Sequence, residues 1–279
     1  MTNPNPLQKY FRQPAIYIKL PSEGRYWPQG SIEMTPNREL SVYPMTAMDE
    51  ITNRTADGLF NGQSVVSVIQ SCIPHIKDAW QVPSVDLDTI LVGIRMASYG
   101  HEMDFESKCT HCNEANQFAL DLRVVLEQIK MPDYDTTVQF GDLEIYFQPL
   151  SYRSMTENSL EQFEDQKILQ SLVEAEMPEA QKMEILQGAL YKLAKLTMNA
   201  LGDSISMIKA GDDIVDNKDH IKDFLQNADK KIYAAVRDKV QAMRDQATLK
   251  PVTAQCNSCN QTYETPFTLD NANFFESGS

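Results

Sequence analysis

A chain of 279 residues can form one large domain or two ordinary ones around a sizeable core, which excludes a minimal disulfide-stapled peptide. Hydrophobic residues make up 42% and charged residues 23%, so the chain reads as mostly folded despite a mean hydropathy of -0.40. Acidic residues outnumber basic ones 39 to 25, and the resulting charge of -14 repels the phosphate backbone that supplies most nucleic-acid affinity, so general coating of DNA or RNA is disfavoured.

Residues 1–14 read as a flexible N-terminal arm. The opening MTNPNPLQKYFRQPAIYIKL lacks the uninterrupted apolar run of a signal peptide, and the most apolar later stretch, TILVGIRMA, is short and broken by Arg95. The expectation is a protein that is not secreted through a signal peptide and does not insert in a membrane. Residues 15–100 follow as a β unit plus helical cluster. From Ala15 to Tyr43, short strand-like runs such as AIYIKL and RELSVYP are punctuated by proline, glycine and asparagine. Thr46 and Asp49 then have the spacing of a capping box, which predicts a helix start. Val65, Val68, Ile69 and Cys72 recur at helical spacing, as do Leu87, Ile90, Leu91 and Ile94 between Ser84 and Ser98.

Residues 122–249 are expected to be an inserted segment with a β-hairpin and a three-helix bundle. The hairpin falls at TTVQFGDLEIYFQPL, turning at Gly141-Asp142. Leu160, Phe163, Leu169, Leu172 and Val173 suggest one amphipathic helix, and Met183, Leu186, Leu190, Leu193, Thr197 and Leu201 a second. A third runs from about Lys218 to Gln246, with Ile221, Leu225, Ala228, Ile232, Ala235 and Met243 in its stripe. Core packing is the plain reading of these stripes, and an exposed stripe for a partner helix the sharper one. The acidic run Glu157, Glu161, Glu164, Asp165, Glu174, Glu176 and Glu179, opposed only by Lys167, reads as a solvated face, or alternatively as a docking surface for a basic partner. Asp212, Asp213, Asp216 and Asp219 lack the pattern of an EF-hand loop and read as helix N-terminal capping.

Cysteine placement carries the strongest chemical signal. Four of the five cysteines form two C-x-x-C pairs, Cys109 with Cys112 and Cys256 with Cys259, leaving Cys72 alone. Each pair is followed by the same kind of tail, CTHCNEANQFALD and CNSCNQTYETPFTLD, so the chain contains an internal repeat of strand, turn and strand. Two thiolates on such a turn can occupy two vertices of a zinc tetrahedron while the second turn fills the others. Residues 101–121 and 250–271 are therefore expected to form a split zinc ribbon holding one structural zinc, with the helical bundle inserted between its halves and 272–279 as a tail. The bland alternative is one redox dithiol and one pair of buried thiols, but neither pair has the strand-to-helix context of a thioredoxin-like motif. His111, inside the first turn, is expected to flank the metal, and His75, His101 and His220 have no identifiable partner. No phosphate-binding, zincin or nucleophile-elbow motif occurs, so no catalytic and no cofactor-binding residues are assigned.

Several segments in order, LPSEGRYW (Leu20 to Trp27), YPMTAMDE (Tyr43 to Glu50), Asn61-Gly62 ahead of a helix, and IRMASYG (Ile94 to Gly100) leading into CTHC, together resemble the baseplate hub assembly proteins of T-even-type contractile-tail bacteriophages. The resemblance covers Leu20 to Asp121. It implies a non-enzymatic viral structural or assembly protein, located in the virion or in the host cytoplasm during assembly, whose partners are other baseplate or hub proteins. A homo-oligomer is compatible with the helix stripes. The competing reading is a zinc-ribbon nucleic-acid-binding adaptor in transcription or replication, which needs a basic ribbon face; here Lys108 and Lys250 stand among Glu102, Asp104, Glu106, Glu114 and Glu264. The expected fold class is α+β.

Overall fold

The structure, a computed structural model, describes residues 5–53, 62–174 and 178–267. Asn61, the side chains of Leu172, Val173, Glu174 and Glu179, Glu176, and the tail from residue 268 onward lie outside what is described. The fold is mixed α+β, and its described residues divide into two compact units, one within 1–79, 86–130 and 248–279 and the other comprising 80–85 and 131–247.

In the first unit, β1 (Ile16–Lys19) pairs antiparallel with β2 (Glu39–Val42), placing Ile18 opposite Leu40. Ile18, Leu20, Leu40 and Val42 are buried, as alternation in a half-covered hairpin requires. Helix α1 (Ala47–Asn53) starts with the expected reciprocal cap: the Asp49 amide donates to the Thr46 hydroxyl at 3.2 Å, and the Thr46 amide donates to the Asp49 carboxylate at 2.7 Å. The supposed flexible arm is anchored by Arg12, whose guanidinium reaches the Pro44 carbonyl at 2.6 Å and the Ser71 carbonyl at 2.7 Å. Those carbonyls lie where the chain enters α1 and near the end of the next helix, so a single planar fork satisfies both.

Helix α2 (Gln63–Cys72) buries Val65, Val68, Ile69 and Cys72 together. Helix α3 (Ser84–Tyr99) buries Leu87, Ile90, Leu91 and Ile94. Gly93 lets α3 approach β1: an added Cβ would sit 3.0 Å from the Ile18 side chain. From α3, Asp86 holds the Leu20–Trp27 loop, accepting from the Ser22 amide at 2.9 Å, the Ser22 hydroxyl at 2.5 Å and the Trp27 indole at 2.7 Å. After α3 come β3 (Glu102–Lys108) and β4 (Ala115–Asp121), an antiparallel hairpin, and α4 (Leu122–Gln128), capped by the Asp121 carboxylate.

The second unit departs from the expected three-helix bundle. Strands β5 (Val138–Phe140) and β6 (Leu143–Phe147) form the anticipated hairpin, but β7 (Ile205–Ala210) and β8 (Asp213–Val215) extend it to a four-stranded antiparallel sheet in the order β5-β6-β7-β8. Between β6 and β7 lie α5 (Tyr152–Glu174) and α6 (Glu179–Asp203), packed against each other. The single helix expected from Lys218 is two, α7 (Lys218–Asn227) and α8 (Lys230–Ala247). Ile145, Phe147, Ile205 and Ile208 from the sheet form one core with Leu201, Ile221, Leu225, Val236, Val240 and Met243 from the helices. Sheet backed by helix thus buries the stripes of α7 and α8. The same unit takes in residues 80–85: the Ser84 amide donates to the Leu150 carbonyl, the Tyr152 amide donates to the Val82 carbonyl, and Trp80 stacks on Tyr152 at 5.8 Å.

The α6 stripe is the clearest reversal. Met183, Leu186 and Leu190, read as core, are 57%, 38% and 54% exposed, whereas Ala189 on the same helix is buried and α6 packs against α5, so the packed face of the helix is not the one that stripe occupies. In the acidic run, Glu157, Glu161 and Glu164 are exposed as expected, but Asp165 is buried and lies 4.0 Å from Lys192. Asp212 and Asp213 belong to the β7–β8 turn and not to a helix cap; α7 is capped by Asn217, whose side chain accepts from the amides of Asp219 and His220. Finally, β9 (Val252–Gln255) and β10 (Thr262–Thr265) close an antiparallel hairpin in the first unit.

Candidate metal centre

Both C-x-x-C turns sit between the strands of a two-stranded hairpin, and the two turns have the same local architecture. In the first, the Cys109 amide donates to the Glu114 carbonyl and the Asn113 amide donates to the Cys109 carbonyl, each at 2.9 Å. In the second, the Cys256 amide donates to the Gln261 carbonyl and the Asn260 amide donates to the Cys256 carbonyl, again each at 2.9 Å. Asn113 and Asn260 hold φ values of 61° and 57°, the left-handed conformation that asparagine tolerates better than most residues. The repeat in sequence is therefore a repeat in backbone, with an asparagine at the same bend.

The two turns meet. The four sulfurs of Cys109, Cys112, Cys256 and Cys259 all lie within 4.8 Å of one another, with Cys109 Sγ 3.7 Å from Cys259 Sγ and Cys112 Sγ 3.6 Å from Cys256 Sγ. A tetrahedral ion bound at about 2.3 Å by four thiolates requires sulfurs about 3.8 Å apart, so this donor set can hold a metal ion. Cys109 and Cys256 are fully buried while Cys112 is exposed, giving the cluster one protected side and one open to solvent.

The surroundings push the cysteines in opposite directions. Amides of Cys259 and Ser258 and the Asn116 side chain pull Cys256 down to about 6. Although the Glu114 amide favours the Cys112 thiolate, desolvation and the three other sulfurs together push it up to about 12. Cys259 is likewise raised, burial and neighbouring sulfurs outweighing the Gln261 amide that favours its charge. Several sulfurs crowded together cannot all ionise without a cation among them, and bringing in a divalent cation relieves that conflict.

Asn116 escaped the sequence reading. It is buried at 3% exposure on β4, donates to Cys256 Sγ at 3.5 Å and to the Glu114 carbonyl at 2.9 Å, and accepts from the Asn257 amide at 2.9 Å. One side chain thus joins its own turn to the other turn. The repeat offered a signal: Asn116 and Tyr263 stand at equivalent places, four residues after the second cysteine of each pair, and both are buried. The Tyr263 hydroxyl lies 2.7 Å from Ser107 Oγ, and its ring meets Phe118 edge-on at 6.4 Å, so the second hairpin also grips the first through an aromatic contact.

His111 is exposed, and it is its backbone amide that reaches the cluster, donating to Cys109 Sγ at 3.4 Å. Cys72 takes no part: it is buried beside Arg12, and burial, with the Asp49 charge, pushes its thiol up to about 12. His75 lies 3.5 Å from the Ser41 hydroxyl, and His101 and His220 are exposed.

A family model described as T4 bacteriophage base plate protein matches residues 32–276, a span that includes both cysteine turns and everything between them. No curated protein and no solved structure matches the chain.

Proposed function

The chain belongs to the T4 bacteriophage base plate protein family, and on that premise we propose that it is a non-enzymatic structural or assembly protein of the baseplate hub, stapled by one zinc ion and presenting a helical surface to its neighbours. Cys109, Cys112, Cys256 and Cys259 would hold the zinc. With four thiolates the coordination sphere is closed, so the ion would supply a crosslink between two distant hairpins and leave no position for an activated water. The Asn116 amide, donating to Cys256 Sγ, orients this sulfur and favours its thiolate form. The staple would tie residues 252–265 to 102–121, the hairpins that flank residues 131–247 in sequence. Among the described residues, Phe163 on α5 and Met183, Leu186, Leu190 and Tyr191 on α6 are exposed, which offers a helical surface for partner contact.

The family match over 32–276 carries the reading, and the surface chemistry agrees with it. Glu102, Asp104, Glu106, Glu114 and Glu264 are exposed around the hairpins, against Lys108 alone on the first, a poor surface for a nucleic-acid adaptor. A groove of about 500 Å³ beside β1 places Lys19 and Arg38 near Glu39 and Glu23, so its charges compensate one another and do not converge on a substrate. Tagged protein is expected to co-purify baseplate proteins from phage-infected cells. Recovery of nucleic acid in a salt-sensitive complex, with no baseplate protein, would overturn the proposal.

A further inference from the structure

The four sulfurs of the two turns sort into two couples. Cys109 Sγ lies 3.7 Å from Cys259 Sγ and Cys112 Sγ lies 3.6 Å from Cys256 Sγ. The couples share no member, so both can react and together use every sulfur of the cluster. Each joins one hairpin to the other, and neither lies within a C-x-x-C turn. In each couple one cysteine is sealed and the other is open to reagents: Cys109 and Cys256 are fully buried, whereas Cys259 is half-buried and Cys112 is exposed.

Bonded sulfurs stand about 2 Å apart, so each couple has to close by about 1.6 Å, which small rotations of the two side chains supply. Hydrogen bonds hold the buried sulfurs in place for this. The His111 amide donates to Cys109 Sγ at 3.4 Å, and the Asn116 side chain, on the opposite hairpin, donates to Cys256 Sγ at 3.5 Å. An unfolded chain favours the other pairing, because cysteines three positions apart close the shortest loop at the least cost in entropy. Bonds across 150 and 144 residues form only where the fold has already brought the two hairpins together.

We infer that peroxide oxidation converts the cluster into two disulfides between the hairpins, Cys109 to Cys259 and Cys112 to Cys256, so that the crosslink persists when the metal leaves. The inference rests on the zinc-staple reading and adds its oxidised state. The Cys112 thiolate attacks peroxide: an S–O bond forms, the O–O bond breaks, and hydroxide leaves with the electron pair. The Cys256 thiolate then attacks Cys112 Sγ, the S–S bond forms, the S–O bond breaks, and a second hydroxide leaves. Two thiolates are oxidised, one peroxide is reduced, and solvent protons turn both hydroxides to water. Cys259 and Cys109 repeat these steps with a second peroxide, after which no thiolate remains to hold zinc. In the location proposed above, the chain passes from a reducing cytoplasm to the oxidising surroundings of a released particle.

Peptide mapping of the full, zinc-supplemented chain after treatment with hydrogen peroxide tests this. Trypsin, used without reduction, leaves Cys109 and Cys112 in one peptide, 109–123, and Cys256 and Cys259 in another, 245–279, the Lys250-Pro251 bond resisting cleavage. From the folded chain the two peptides are expected as one disulfide-bonded species, with Cys109 joined to Cys259 and Cys112 to Cys256 on fragmentation. From chain oxidised in guanidinium they are expected apart, each looped on itself. Separate peptides from the folded chain, the crossed pairing of Cys109 with Cys256, bonds between two chains, or sulfinic acids in place of disulfides would overturn the inference. Zinc release to a chromophoric chelator, followed in parallel, keeps the two readings apart. Zinc bound before oxidation and lost during it, with bonds confined to each turn, refutes the cross-hairpin disulfides and leaves the zinc staple standing. Joined peptides from a chain that never held zinc refute the zinc and leave the disulfides.

Discussion

Replacing Asn116 with alanine leaves all four cysteines in place and removes only the side chain that joins their two turns. Three hydrogen bonds go with it: 3.5 Å to Cys256 Sγ, 2.9 Å to the Glu114 carbonyl and 2.9 Å from the Asn257 amide. Two neutral bonds are worth about 0.5–1.5 kcal/mol each, and one to a thiolate about 1.5–3 kcal/mol. Glu114 and Asn257 belong to exposed residues and recover water, so the net loss falls to about 1.4–2.7 kcal/mol, or roughly 10- to 100-fold in zinc affinity. Asn116→Asp should lose more than alanine does, because it keeps an acceptor for the Asn257 amide but turns a carboxylate toward the thiolates. Competition for zinc against a chromophoric chelator reads both variants. Affinities within about twofold of wild type would refute the role of Asn116 in holding the sulfurs.

Asp86 is held above the ordinary carboxylate range by burial, against the opposing pull of its Ser22 and Trp27 donors. The native state therefore binds this proton more tightly than the unfolded chain, and stability should decline as pH rises from about 4 through the raised native value. Urea unfolding of Asp86→Asn should show a shallower decline, with a residue of slope from Asp88, which burial also raises, and a loss of about 2–3 kcal/mol near neutrality from the mismatched amide. A slope equal to that of wild type would contradict the assignment. Gly24 holds a φ of 85°, and a Cβ there would lie 2.9 Å from Met34 Cγ, so Gly24→Ala should cost about 1–3 kcal/mol in the same assay. Ile145→Ala, at a fully buried sheet position of the second unit, should cost about 2–5 kcal/mol and raise amide exchange in β5–β8 before it does so in the cysteine hairpins.

The features legible in sequence were those written in adjacent residues. The Thr46–Asp49 cap, the stripes of α2 and α3, the Gly141-Asp142 turn and the duplicated cysteine tails each declare themselves within a dozen positions. The pairing of β7 with β6 joins Ile208 to Ile145 across α5 and α6, and no local pattern records such a partner. The break between α7 and α8 falls at Ala228-Asp229 with neither glycine nor proline to mark it, so periodicity ran through it. The α6 stripe failed for a different reason: spacing reveals which residues share a face, but says nothing about what covers that face. Asn116 was hidden because polarity in a half-exposed hairpin looks like solvent exposure until the second turn is placed against it.

The central claim, that a single zinc joins hairpins remote in sequence, is tested most directly by native mass spectrometry of reduced protein purified without chelator, wild type against Cys256→Ser. Loops closed between these turns span 144 to 150 residues, so a metal crosslink should restrict the unfolded chain by about 5 kcal/mol in addition to its local bonds. The account predicts one zinc per wild-type chain, lost in the variant together with protection of β9 and β10. A folded wild type carrying no metal would contradict it.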